Sequence, residues 1–245
     1  APECMIELLS RSQSLKELDA SWISSSRGEQ TGVPLAPGWL QKLTTLTTLT
    51  VLQVNIDDWS AEDWSALEQL SQLTSLQLYG RNTADGRSME SVSKLKCLSS
   101  LSIDAPHVTP EQMAFLIDHP RFNSLFVHRA TDANVKPLAA LKHLRQLTLS
   151  CPDRDSIADL FGLSSKVTSS YLQPITELPL ESVSLFCGSQ NSRLPDAILD
   201  PLTQIPTLQR VHVSDSRFSP AAIERLKEKL PKTCQLNISQ PISRP

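Results

Sequence analysis

The fold is decided by the sequence LTSLQL at residues 73–78, in which leucine occupies the first, fourth and sixth positions. The same spacing of apolar residues starts again at residues 15, 49, 98, 122, 144, 180, 208 and 233, and the first and last copies are degenerate. Between residues 49 and 144 the successive starts lie 24, 25, 24 and 22 residues apart. A period of this length predicts an array of stacked repeats.

One repeat can be followed from residue 60 to residue 78. Ser60 and Asp63 have the spacing of a helix capping box. Trp64, Leu67 and Leu70 then recur at three-residue steps, which places them on one face of a helix. The LTSLQL sequence follows with the period of two that is typical of a strand. Each repeat is therefore predicted to be a helix, a tight turn and a short strand.

A single repeat cannot bury its own leucines, so we expect the repeats to stack with their strands side by side in a parallel sheet. The wider helical layer would curve the stack, with the sheet on the concave face and the helices on the convex face. In each strand the first, fourth and sixth positions would face the core, and the third, fifth and seventh would face solvent. Binding residues should therefore be sought at the outward positions.

Two longer stretches carry a family resemblance: residues 98–113, LSSLSIDAPHVTPEQM, and residues 208–230. They resemble bacterial leucine-rich-repeat proteins, and residues 223–236 look like the usual final repeat of that family. The resemblance covers the chain at the level of the repeat pattern, and it implies an α/β, right-handed solenoid of horseshoe shape that recognises proteins. One departure is the ninth position, often Asn in other leucine-rich repeats, so the turns should be less regular. The residues found there are Arg81, Pro106, Ala130, Pro152 and Ser216.

The spacing predicts one elongated domain over residues 1–245, with about eight to nine repeats. Two intervals are about ten residues too long, which predicts insertions near residues 22–38 and 152–179. The second insertion contains Arg154, Phe161, Lys166 and Tyr171, and it is either simple loop drift or a segment that overhangs the concave face. Because Ala1 is not an initiator Met and no polar cap precedes the first repeat, we expect a longer polypeptide.

Composition narrows the classes of partner. The chain carries 23 basic and 26 acidic residues, for a net charge of -3, so nucleic acid is not a predicted partner. No apolar stretch approaches the roughly 20 residues of a membrane-spanning helix, so the chain is predicted to be soluble. Five scattered cysteines favour a reducing, cytoplasmic setting. A secreted form stays open, because Cys151 and Cys187 occupy the same position of consecutive repeats and could form a disulfide.

The chain has two tyrosines and six phenylalanines, and three of these eight, Tyr79, Phe126 and Phe186, occupy outward positions, which is typical of interface anchors. Arginines beside them add donors for carboxylates or backbone carbonyls. The predicted partner-binding residues are Tyr79, Asp104, Phe126, His128, Arg129, Arg145, Phe186, Arg210 and His212. The alternative is that exposed aromatic residues only stabilise cross-strand packing.

An enzyme is not predicted. Asp104, His128 and Ser150 fall in one outward row, as an acid, a base and a nucleophile would, but a flat sheet offers no oxyanion donors and no enclosed pocket. The five histidines lack the close spacing of metal ligands. The seven glycines are not grouped into a phosphate loop. Neither a metal nor a cofactor is therefore expected.

The sequence thus favours a non-catalytic protein-binding module that holds an unidentified protein partner on its concave face. Two alternatives use the same surface. One is the substrate-recognition domain of a larger enzyme of the ligase or kinase type, and the other is a secreted bacterial effector that acts on host proteins. The sequence leaves the oligomeric state open.

Overall fold

The computed structural model describes residues 2–21, 38–57, 59–80, 87–105, 108–151, 167–187, 194–214 and 218–239. The chain divides into two compact units, Ala1–Phe122 and Asn123–Pro245. In both units short parallel strands alternate along the chain with short helices. The predicted α/β leucine-rich-repeat fold is confirmed by this alternation and by the order of the strands.

Among its described residues the first unit has four strands, which pair in chain order and in parallel. They are β1 (Glu17–Ala20), β2 (Val51–Asn55), β3 (Ser75–Tyr79) and β4 (Ser100–Asp104). The helical segments of this unit are α1 (Pro2–Ser10), a 3-10 helix (Trp39–Leu43), α2 (Ala61–Gln69), α3 (Arg87–Ser93) and α4 (Pro110–Ala114).

The part of the second unit that the structure describes has five strands, again parallel and paired in chain order. They are β5 (Ser124–His128), β6 (Gln146–Cys151), β7 (Ser182–Cys187), β8 (Arg210–Ser214) and β9 (Gln235–Ser239). Its helical segments within these described residues are α5 (Asp132–Val135), α6 (Pro220–Lys229) and three 3-10 helices at Lys136–Ala140, Gln173–Ile175 and Asp196–Gln204. No helix in the described part of the chain has the length and hydropathy to cross a membrane.

The strand register fixes which side chains enter the core. Leu52 pairs with Leu76, and Leu76 pairs with Leu101. All three are fully buried. In the second unit Leu147 pairs with Val183 in the same inward phase, and both are buried as well. The predicted assignment of the inward positions is therefore confirmed, and the alternate positions lie on the other side of each strand.

The predicted capping box at the start of α2 is also confirmed. The Asp63 carboxylate accepts hydrogen bonds from the Ser60 amide at 3.0 Å and the Ser60 hydroxyl at 2.7 Å. It also accepts the Gly38 amide at 3.1 Å and the Leu40 amide at 3.3 Å. Gly38 has a positive φ of 76° and begins the 3-10 helix of the preceding repeat. Asp63, which is only 1% exposed, therefore ties two repeats together.

The same device occurs twice in the second unit. The Asp132 carboxylate accepts the Thr168 amide at 3.0 Å and the Thr168 hydroxyl. The Asp196 carboxylate accepts the Ser219 amide at 2.9 Å and the Ser219 hydroxyl at 2.5 Å. Aspartates at helix starts thus join neighbouring repeats in a chain that lacks the ninth-position Asn. Of those ninth positions only Ala130 lies within the described residues, and its amide donates to the Ser150 carbonyl at 2.7 Å.

The described part of the second insertion, residues 167–179, belongs to the helical layer. Tyr171 is buried, and its hydroxyl donates to the Ala130 carbonyl at 3.2 Å. The 3-10 helix Gln173–Ile175 packs against the 3-10 helix Lys136–Ala140. The hypothesis that the insertion overhangs the sheet is therefore wrong for these residues. Most of the first insertion, residues 22–37, lies outside the described residues, and so do Arg154, Phe161 and Lys166.

Cys151 and Cys187 lie directly opposite each other on β6 and β7. The prediction that they are strand neighbours is therefore confirmed. Cys151 is buried. A disulfide between them stays an alternative that the sequence leaves open.

Candidate functional site

The outward side of the second unit's sheet presents two rows of side chains. The register aligns Phe126 with Thr148, Thr148 with Ser184 and Ser184 with His212. One step further along the strands, Ser150 pairs with Phe186. The period of two puts His128 on the same side as Phe126.

Two pairs of neighbouring rings lie on this side of the sheet, and each pair takes one ring from each row. The rings of Phe126 and His128 stack with their centroids 4.0 Å apart and their planes at 28°. The rings of Phe186 and His212 lie 5.1 Å apart at 37°. The first pair lies along one strand, and the second pair crosses from β7 to β8. Both imidazoles therefore rest against an aromatic ring on the solvent side of the sheet.

Phe186 is the most exposed of these rings, at 40%. Among the described residues, the other exposed large apolar side chains are Leu8, Phe115, Ile117 and Ile238. Leu8 lies on α1, and Phe115 and Ile117 follow α4. Ile238 pairs with the inward Val213 at the edge strand. Within the described chain, Phe186 is thus the exposed large apolar residue that projects from the outward side of a sheet.

Three small hydroxyl residues lie between the two ring pairs: Thr148, Ser150 and Ser184. Their hydroxyls make no hydrogen bond with another described residue. Because adjacent strands are about 4.8 Å apart, the rings on β5 and β7 are separated by roughly 10 Å. We call these three residues, with Phe126, His128, Phe186 and His212, the aromatic patch. It offers apolar walls beside hydroxyl groups that can donate or accept.

The predicted arginines have different roles. Arg210 is exposed at the start of β8, and its guanidinium has no ion pair or hydrogen bond within the described chain. Arg145 instead donates to the Pro179 carbonyl at 3.0 Å and lies 3.9 Å from the Glu181 carboxylate. Arg145 therefore stabilises the chain just before β6 and β7. The sequence alone does not indicate this role. Arg129 follows β5 with a positive φ of 57°.

The two predicted residues of the first unit are less open than expected. The Tyr79 hydroxyl donates to the Gln77 side chain at 2.7 Å. Burial raises the pKa of Tyr79, and the carboxylates of Asp19 and Asp104 raise it further. Asp104 is only 7% exposed, and it accepts the Gly80 amide at 3.1 Å. The expectation that Asp104 faces solvent is therefore wrong, because this outward position is covered.

Of the row of Asp104, His128 and Ser150, Asp104 belongs to the first unit, and His128 and Ser150 belong to the second. The Ser150 hydroxyl makes no hydrogen bond to a base among the described residues. The Asp104 carboxylate is engaged by Gly80, and the His128 ring stacks on Phe126. In the same described residues, no three His, Cys, Asp or Glu side chains are grouped as metal ligands.

Two features of the patch were missed at the level of sequence. The period of two indicates that Phe126 and His128 share a face, but it does not predict that their rings stack. The sequence alone does not single out Thr148 and Ser184 either, because their significance depends on the larger rings beside them.

No protein-family model matches this sequence, and no curated protein matches it. A leucine-rich-repeat protein of Leptospira interrogans has a similar structure, with 19% identity over 94% of this chain and 50% of its own length and a TM-score of 0.42. TLR13, solved in complex with the RNA ssRNA13, is 17% identical over 94% of this chain and 32% of its own length, with a TM-score of 0.45. An internalin of Listeria monocytogenes is 17% identical over 85% of this chain and 71% of its own length, with a TM-score of 0.31. This chain thus spans half of the Leptospira protein and about a third of TLR13.

Proposed function

We propose that this chain is a non-catalytic protein-binding module whose partner docks on the outward side of the second unit's sheet. This is the side that the repeat pattern predicts to be concave. The observation that carries the proposal is the exposure of Phe186, at 40%, on a strand whose inward residues Val183 and Leu185 are buried. The fold itself does not require an aromatic ring there, because the partner position Ser150 is small.

The aromatic patch has the composition of an interface centre. Aromatic side chains bring large apolar area to a contact at a small entropic cost, and they are enriched among the residues that dominate binding energy. Phe126 and Phe186 are already held by His128 and His212, so little ring motion is lost when a partner arrives. The hydroxyls of Thr148, Ser150 and Ser184 supply donors and acceptors between the rings.

Support for a non-catalytic role comes from the same surface. A nucleophilic hydroxyl needs an adjacent base that removes its proton. The Ser150 hydroxyl has no such base among the described residues. An open sheet also leaves a reacting group in contact with water, whereas catalytic sites are usually enclosed.

The test is affinity capture with a matched pair of variants. Phe186→Ala and Phe126→Ala remove the apolar walls of the patch. Phe115→Ala removes a ring of similar exposure, 43%, that lies on the helical side of the other unit. A Tyr79→Ala variant tests whether the first unit also contributes to partner binding. Proteins retained by the immobilised chain would be quantified by mass spectrometry.

We expect the partner to be lost with Phe186→Ala and retained with Phe115→Ala. Circular dichroism spectra should be unchanged for both variants, because each position is exposed. If the partner is retained by the double Phe126 and Phe186 variant and lost with Phe115→Ala, the binding surface is on the helices and the proposal is wrong.

A further inference from the structure

The strands of the two units differ in charge. In β5 to β9 there is no Asp or Glu, and the ionisable side chains of basic type are His128, Arg210 and His212. In β1 to β4 the reverse holds: these strands contain Glu17 and Asp19 together with the covered Asp104, and no Lys, Arg or His. The five strands that carry the aromatic patch therefore contain no carboxylate.

Arg210 is well placed to use this charge. It lies two residues before His212 on the same side of β8, so about 7 Å separate the two positions along the strand. His212 in turn contacts the Phe186 ring. On β9 the register neighbour of Arg210 is Gln235, which is uncharged. The carboxylate of Glu181, just before β7, faces Arg145 at 3.9 Å. The Arg210 guanidinium therefore has no ion pair among the described residues.

We infer that the partner contributes an acidic, extended peptide segment to the aromatic patch, with a carboxylate bound by Arg210 and an apolar side chain packed on Phe186. This inference rests on the proposed function and specifies the chemistry of its partner. A guanidinium binds a carboxylate through two parallel N–H bonds, which fixes direction as well as charge. The hydroxyls of the patch add neutral donors along the same line.

Two other ligand classes fit less well. A basic peptide would meet Arg210 and find no carboxylate in β5 to β9. A nucleic acid is held chiefly by several Lys or Arg side chains on successive phosphates. These five strands contain one arginine and no lysine. An acidic peptide needs only one or two ion pairs with an arginine. It can also place apolar side chains on Phe126 and Phe186.

The experiment is selection from a phage-displayed library of random peptides against the immobilised chain, followed by titration of the enriched peptides by fluorescence polarisation. We expect the enriched peptides to combine Asp or Glu with an apolar or aromatic residue. Arg210→Ala should weaken their binding roughly tenfold, the loss of one charge-assisted contact. Arg210→Glu should abolish it and should restore binding of the same peptide with its acidic residue replaced by Lys.

Arg225→Ala is the matched control, because Arg225 lies on α6 of the same unit and pairs with Asp200 at 3.3 Å. It should leave the affinity unchanged. Enriched peptides that are neutral or basic, and that still lose binding with Phe186→Ala, would overturn the acidic-segment inference and leave the proposed function standing. Peptides insensitive to Phe186→Ala, or no enrichment at all, would overturn both. A single-stranded RNA that binds and is lost with Arg210→Ala would replace the acidic peptide as the ligand class.

Discussion

Replacement of Asp63 by Ala should weaken the joint between two repeats of the first unit. The carboxylate accepts four hydrogen bonds, two from Ser60 and one each from the amides of Gly38 and Leu40. Loss of a helix cap costs about 1 kcal/mol. A buried amide left without an acceptor costs about 1–3 kcal/mol, and Leu40 is fully buried. We therefore expect Asp63→Ala to lower the free energy of unfolding by about 2–4 kcal/mol.

Two assays read this loss at different scales. Guanidinium unfolding followed by circular dichroism measures the stability of the whole unit, and hydrogen exchange with mass spectrometry measures residues 38–43 directly. A local loss of about 3 kcal/mol corresponds to a fall in protection of roughly a hundredfold. Asp63→Asn keeps one acceptor oxygen and should give a smaller loss. Asp118→Ala removes an exposed carboxylate in the same unit and should change neither measurement. Equal effects of Asp63→Ala and Asp118→Ala would refute the assignment of Asp63 as a bridge.

Three further changes test other contacts. Burial lowers the pKa of His119 below the ordinary value of 6.5, so the unfolded chain binds more protons just below pH 6.5 and stability should fall as the pH drops there. In urea titrations at several pH values, His119→Gln should flatten this dependence and the exposed His143→Gln should preserve it. Gly80→Ala should cost about 1–3 kcal/mol in thermal unfolding, because φ is +116° and a Cβ would lie 2.7 Å from the Asp57 carboxylate; an unchanged melting temperature would contradict this. Tyr171→Phe removes a buried hydroxyl that donates to a backbone carbonyl, so the unfolding free energy should fall by about 1 kcal/mol, and an equal midpoint would argue against it.

The sequence predicts the architecture because the core imposes a strict rule on it. A strand in a stacked repeat can bury only alternate side chains, so the leucines at Leu76 and Leu101 reveal both the register and the outward face. The capping box at Ser60 is predictable for a similar reason, since both partners are three residues apart. Local spacing and burial carry all of this information.

The candidate site is less predictable because it depends on neighbours that are distant in sequence. Asp104 is covered and bonded to Gly80, 24 residues earlier. Arg145 reaches Pro179, 34 residues later. Asp63 bonds to Gly38, 25 residues earlier, in addition to its local cap. No periodic pattern distinguishes an outward charge that is engaged in this way from one that is available, such as Arg210.

The repeat architecture separates stability from recognition, and this makes the proposals testable one at a time. The inward fourth position of each strand phrase is Leu or Val throughout, and the outward fifth position varies from Asp19 and Gln53 to Phe126 and His212. Exposed substitutions away from special contacts usually change stability by no more than about 0.5 kcal/mol. Phe186→Ala should therefore remove binding while the fold persists. Asp63→Ala should weaken its repeat joint and leave the surface of the second unit unchanged, since all of its described hydrogen bonds lie within the first unit.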